Sequence, residues 1–267
     1  MDAGVALARV VSGAAIAGGE RLRVLQVWTD LRSMPETAIP VGVGQLRIAL
    51  GRFADQIQYE DQPACSREDL LLRLNTFRPH ILHISGHGDA SGAVALMHPD
   101  SGLASTLTPA DLAKLLAGRT ELRLLVLDCC RGLAGASALR EIVPAVIATS
   151  GAIREPYPIA FAAALYHSIA SGRSLQAAFD DAVVASAERA EGSTGFDLRT
   201  LDVDPSAIFL CASLAGESSR SRSRTPWLWV AGALLGACLG MAAPKWVVAS
   251  ASALELVGHP VRVGAGE

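Results

Sequence analysis

Paired cysteines are missing from this chain. Its 267 residues include five, Cys65, Cys129, Cys130, Cys211 and Cys238, and no two stand in C-x-x-C spacing. An odd number without that spacing argues against a disulfide framework and against a structural zinc site. No metal and no other cofactor is expected. The adjacent Cys129–Cys130 pair points to a reducing compartment, where thiols stay free. A basic surface is lacking as well. The net charge is −3, which provides no electrostatic footprint for a nucleic acid. There are no internal repeats, no nucleotide-binding loop and no DNA-binding motif, so no sensor domain is visible. Residues 1–20 are rich in Ala, Gly and Val, but they lack the start of a signal peptide. Asp2 stands where a basic residue belongs, and Arg9 interrupts the apolar run. They read as a leader, either a short helix or disordered.

What the chain does have is apolar residues, 51 % of the total. That suffices for a full-sized core and a membrane segment, in one large domain or two small ones. Two short apolar runs each stop at a reactive side chain. Ile81, Leu82 and Ile84 lead into Gly86-His87-Gly88; Leu124 to Leu127 lead into Asp128-Cys129-Cys130. Runs of this length, bounded by turn signals, read as buried parallel strands. If the two are neighbours in an open α/β sheet, their C-terminal ends share a crevice, where such sheets bind ligands. A histidine and a cysteine remote in sequence would then face each other, as a thiolate–imidazole dyad requires.

The remaining pattern agrees with strands alternating with helices, hence a mostly parallel sheet covered on both faces. Residues 21–27 read as the first strand and 30–43 as a loop. Leu46, Leu50, Phe53 and Ile57 recur at helical spacing, which predicts a helix over 44–56. Ser66 with Asp69 forms a capping box for the next helix. A β-hairpin is expected within 89–102. Thr108-Pro109 opens another helix. Residues 131–138 read as a small, glycine-rich loop, 145–149 as a strand, 159–169 and 175–187 as helices, and 207–211 as a last strand.

The two strand tips resemble the caspase-like cysteine peptidases, and within them the bacterial CHAT and effector-associated caspase-like domains. Ser85-Gly86-His87-Gly88 carries the histidine and Cys130-Arg131-Gly132 the cysteine of the pattern Q-A-C-R-G. The histidine lies 43 residues upstream, against about 50 in the caspases. The likeness extends over residues 23–184. It implies a caspase-like three-layer sandwich with a mostly parallel central sheet, and a cysteine endopeptidase. Cys130 would be the nucleophile and His87 the general base. The backbone N–H groups of Gly88 and Cys130 would form the oxyanion hole, each donor contributing on the order of 3 kcal/mol. Cys129 occupies the alanine position of the pattern and is structural by resemblance; strand alternation also points it away from Cys130. Asp128 departs from the caspase glutamine and matches the D-S-C of metacaspases. There the aspartate lines the pocket for the side chain before the cut, which implies a preference for Arg or Lys. Ser85 would line the same pocket. Asp128 also reads as a strand-end aspartate capping a turn, and Asp89 and Glu155 are alternative carboxylates. His83 reads as a satisfied core histidine, and His80 and His167 as structural or surface residues.

Composition changes sharply after the sheet. Residues 215–225 form a Ser/Arg linker with no core-forming side chain. The 18 residues 226–243 carry no charge, long enough for a membrane span, assigned to 226–249. Trp227, Trp229 and Trp246 would mark the two interfaces. Arg220, Arg222 and Arg224 before the span, against Lys245 after it, would hold the domain of residues 21–214 in the cytoplasm. A tail of 250–267 would lie beyond the inner membrane. Gly232, Gly236 and Gly240 would line one helix face, where close packing permits a homo-oligomer. The resulting expectation is a membrane-anchored effector of a bacterial signalling or antiphage system, activated by a partner protein and acting on protein substrates. The alternative is a non-catalytic adaptor on the same fold. Adaptors usually lose one member of the dyad, and this chain retains both.

Overall fold

The computed structural model describes residues 20–29, 39–154, 156–193 and 195–211, all within one compact unit, Met1–Ser221. The segments read from sequence as linker, membrane span and tail, and the leader up to residue 19, lie outside the described residues. Among those described, no helix is long and apolar enough to cross a membrane.

Among the described residues six strands form the central sheet: β1 (Leu22–Trp28), β2 (Ile57–Pro63), β3 (Ile81–Gly86), β6 (Leu124–Cys129), β7 (Ala145–Thr149) and β8 (Phe196–Thr200). Their order is β2-β1-β3-β6-β7-β8. All neighbours are parallel except β7 and β8. A separate antiparallel hairpin, β4 (Val94–Met97) with β5 (Ala104–Leu107), follows the histidine loop. Its second strand lies beyond the stretch in which the hairpin was expected.

Side-chain alternation sorts two cores onto the two faces. Leu22, Val24, Ile81, Leu124, Val126 and Ile147 face one side. They pack under α1 (Ile39–Gly51), α5 (Tyr157–Ala170) and α6 (Leu175–Ser186). Leu25, Val27, Leu82, Ile84, Leu125 and Leu127 face the other. They pack under α2 (Arg67–Thr76), α3 (Pro109–Leu116) and α4 (Leu133–Leu139). Each such fully buried aliphatic side chain stabilises by about 1.5–3 kcal/mol relative to exposure. The result is the three-layer α/β/α arrangement with a mostly parallel sheet.

Local signals hold where capping chemistry decides them. Ser66 accepts from the Asp69 N–H while the Asp69 carboxylate accepts from the Ser66 N–H, a complete capping box for α2. Thr108 caps α3, with Pro109 in its first turn.

Four expectations are corrected. The helix predicted over 44–56 is α1, and it starts five residues earlier. Pro40 sits in its first turn, where a missing N–H has no intrahelical role. Ile57 belongs to β2, paired with Leu22. The expected loop at 131–138 contains α4. There Gly135 packs so tightly on α3 that an added Cβ would lie 2.5 Å from Pro109 Cγ. The last strand among the described residues is β8, antiparallel and anchored by Phe196 stacked on Phe161 with centroids 4.0 Å apart. In the 207–211 stretch a single bridge, Ser174 to Phe209, is all the pairing among the described residues.

Candidate active site

In the order 2-1-3, the chain reverses direction across the sheet between β1 and β3, the place where open α/β sheets bind ligands at their carboxyl ends. β3 and β6 are direct neighbours, with Ser85 opposite Asp128 and Gly86 opposite Cys129. His87 leaves the end of β3 and Cys130 the end of β6. Two glycines let these loops meet. A Cβ on Gly88 would fall 2.3 Å from the Cys130 carbonyl oxygen, and one on Gly86 would fall 2.9 Å from Thr29 Oγ1. The histidine loop thus lies backbone to backbone against the cysteine turn. That turn continues through Arg131 at φ +58°, a left-handed conformation uncommon for a residue with a Cβ. The Arg131 N–H donates to the Gly151 carbonyl at 2.8 Å.

One cavity of about 310 Å3 opens here, and it is lined by His87, Cys130, Asp128 and Ser85 together. Its walls come from α1 through Gly42, Val43 and Leu46, and from α5 through Pro158, Ile159 and Ala162. The helices approach closely because Gly42 has no Cβ; one would meet Ile159 Cγ1 at 2.6 Å. Arg154 stands on the lining as well. Cys130 is partly exposed, whereas Cys129 is fully buried. Burial pushes the Cys129 thiol far above the ordinary range, reinforced by the Asp128 carboxylate and Cys130. The Cys129 carbonyl accepts a hydrogen bond from Thr149 Oγ1.

A polar row runs across the sheet, one or two side chains per strand, and its members on β1, β3 and β6 form the floor of the cavity. Tyr59 on β2 donates to Gln26 Oε1 on β1 at 2.6 Å. Gln26 Nε2 donates to Ser85 Oγ on β3 at 2.9 Å. Ser85 Oγ donates to Asp128 Oδ2 on β6 at 3.4 Å. Each hydroxyl and amide points its proton the same way, toward the carboxylate. Burial raises the Tyr59 phenol far above its usual range, so the first donor in the row keeps its proton. His83 Nε2 lies 3.8 Å from the same Asp128 oxygen.

All four side chains singled out from sequence, His87, Cys130, Asp128 and Ser85, therefore line one cavity. Of the alternative carboxylates, Asp89 is occupied elsewhere. Its Oδ1 accepts from the Ser91 hydroxyl and from the N–H groups of Ser91 and Ala93. Glu155 lies outside the described residues. Gln26 and the α1–α5 walls were missed, and so was the place of His83 on the cavity lining. Gln26 carried a usable signal: it is the one polar side chain in step with the inward-facing Leu22 and Val24. His83 is in the core as expected, but it is not satisfied, since its Nε2 is buried without a hydrogen-bond partner. His80, also buried, accepts the Arg23 N–H on Nδ1 at 3.0 Å; His167 is exposed on α5.

A family model for the CHAT domain matches residues 39–237. The chain belongs to the CHAT domain family. No curated protein matches this CHAT domain chain. Among solved structures it is similar to a secreted C11 cysteine protease from Bacteroides thetaiotaomicron in complex with an irreversible peptide inhibitor. That similarity has TM-score 0.47 and 10 % identity, over 64 % of this chain and 60 % of that one. It is also similar to the Arg specific cysteine proteinase gingipain R, with TM-score 0.46 and 10 % identity, over 72 % of this chain and 45 % of that one. The CHAT domain chain thus spans 60 % and 45 % of the lengths of these two proteins.

Proposed function

We propose that this CHAT domain is a cysteine endopeptidase with Cys130 as nucleophile and His87 as its base. The observation that carries this is the shared cavity at the tips of two adjacent strands, lined by both side chains. The Cys130 sulfur attacks the scissile carbonyl carbon, and the N–H groups of Gly88 and Cys130 receive the developing oxyanion. The C–N bond breaks, His87 delivers a proton to the leaving amine, and a thioester remains on Cys130. Water, deprotonated by His87, then releases the acid and restores the thiol.

The residue before the cut is basic. Apolar walls from α1 and α5 suit the aliphatic stem of Arg or Lys, and the Asp128 carboxylate at the floor suits its charged end. An uncharged side chain would leave that carboxylate unpaired. The volume, near the lower end of the roughly 300–1,000 Å3 of ligand pockets, suits one side chain rather than a larger ligand.

The chain acts at the cytoplasmic side of the inner membrane, held by residues 226–249, with a partner protein supplying activation in a signalling or antiphage response. The Arg-rich linker and the uncharged run in the sequence support the anchoring. The test of the activity is turnover of fluorogenic peptides by the full chain beside Cys130→Ala. Turnover surviving in the variant, or a preference for acidic over basic residues before the cut, defeats the proposal. Anchoring is tested by membrane fractionation of the full chain against one ended at residue 225.

A further inference from the structure

His83 sits beneath the cavity rather than away from it. It is 1 % exposed, contributes to the lining, and carries a buried Nε2 without a hydrogen-bond partner. Its other ring nitrogen, Nδ1, is 3.2 Å from the Tyr166 hydroxyl. Tyr166 is completely buried, and burial lifts its phenol well above the usual range. It keeps its proton at any working pH. A buried phenolic proton requires an acceptor, and Nδ1 is the one it meets. The neutral ring therefore carries its own proton on Nε2, toward Asp128 Oδ2 at 3.8 Å. Ser85 Oγ donates to that same oxygen. At 3.8 Å the imidazole stands beside that oxygen without a hydrogen bond to it, close enough for a charge on the ring to act on the carboxylate.

We propose that His83 decides whether this cavity accepts a basic side chain, by leaving the charge of Asp128 intact when neutral and cancelling it when protonated. The role rests on the cavity being a recognition site for Arg or Lys. Histidine is the side chain that changes charge between about pH 5 and 8. A proton taken from water onto Nδ1 displaces the Tyr166 hydrogen bond and leaves an imidazolium beside the carboxylate. The floor then passes from net negative to net neutral, and an incoming guanidinium meets a like charge. The other ionisable groups on the cavity are His87 and Cys130 at the strand tips and Arg154 before α5. Tyr59 stands behind the neutral Gln26, and α1 contributes only apolar side chains.

The test uses agmatine, a guanidinium on a four-carbon stem, titrated calorimetrically into the full-length chain and its His83→Gln variant at about pH 5.5 and 7.5. The wild type is expected to bind about tenfold more tightly at the higher pH. The variant, which cannot gain a charge at position 83, is expected to lose most of that difference. Equal binding by the wild type at both pH values overturns the role of His83, as does an undiminished pH difference in the variant. Tyr166→Phe keeps the ring and removes the donor, so it answers the question should His83→Gln fail to fold. Because protonation no longer has to displace that bond, binding by this variant should begin to weaken at higher pH than in the wild type, and an unchanged pH profile counts against the proposal. Asp128→Asn separates the two layers. If it binds agmatine as well as the wild type, the cavity is not a basic-residue site, and the role of His83 falls with it. None of these measurements uses turnover, so an absence of hydrolysis would defeat the peptidase reading alone.

Discussion

The two faces of the central sheet are made by the same strands and do different work. On β3, Leu82 and Ile84 enter the α2–α4 core, while Ile81, His83 and Ser85 face α1 and α5. On β6, Leu125, Leu127 and Cys129 face the first of these layers, and Leu124, Val126 and Asp128 the second. On β3, β6 and β7 the α2–α4 face is apolar to the strand ends. The α1–α5 face is apolar only through its first half and then becomes the polar row of Gln26, Ser85, His83 and Asp128. A period of two residues lets one strand serve both purposes, because consecutive side chains never share an environment. Stability and chemistry are thereby separable: one face holds the sheet together while the other carries buried polar groups at a cost.

Exchanging the roles of adjacent residues tests that separation. The largest effect is expected from the two sulfurs. Cys130→Ala should lower peptide turnover at least ~10³-fold. Cys129→Ala, one residue away but on the other face, should leave kcat within about threefold and lower stability by about 1 kcal/mol for the small cavity. Comparable losses of activity in both would show that the faces are not independent.

A second pair is Leu127 and Asp128. Leu127→Ala should destabilise by about 2–5 kcal/mol in denaturant unfolding, with the ratio of kcat/KM on basic and neutral peptides unchanged. Asp128→Asn should leave the unfolding midpoint nearly in place and reduce that ratio by about 10²-fold, the cost of facing a cation with an uncharged floor.

Reactivity should follow the same division. Near neutral pH iodoacetamide is expected to label Cys130 and to spare Cys129, Cys65 and Cys211. Burial pushes the Cys65 and Cys211 thiols up to about 12 and about 11 and Cys129 higher still. A raised thiol pKa leaves less thiolate, which is the reacting form, so these three should be labelled only as the pH rises or the chain unfolds. Mass-spectrometric mapping would detect early labelling of Cys129, which would break the contrast. The smallest effect is expected at the far end of the polar row. Tyr59→Phe removes one donor to Gln26 and should cost about 1 kcal/mol of stability, with at most a few-fold rise in KM for basic peptides.

Much of the architecture was legible in the sequence because it is locally encoded. The capping box at Ser66 and Asp69 and the Thr108-Pro109 start are satisfied by atoms three residues apart. β1, β3, β6 and β7 are buried on both faces and read as apolar runs. The edges were not legible. β2 and β8 are half-exposed, so Glu60, Asp61, Asp197 and Arg199 interrupt their apolar signal, and pairing with a neighbour makes them strands. α4 is rich in small residues that read as a loop, and its helix is sealed by packing against α3.

By itself, then, the sequence determined which strands lie in the core, where they stop, and which reactive side chains stand at their tips. Only the tertiary structure decided what surrounds those tips. The 2-1-3 strand order brings Gln26 beside Ser85, the α1–α5 contact at Gly42 and Ile159 makes the walls, and Tyr166 from α5 reaches His83 from 83 positions away. Contacts of that kind depend on chain reversals and helix packing. No local periodicity records them, because each partner satisfies its own local preferences equally well without the other.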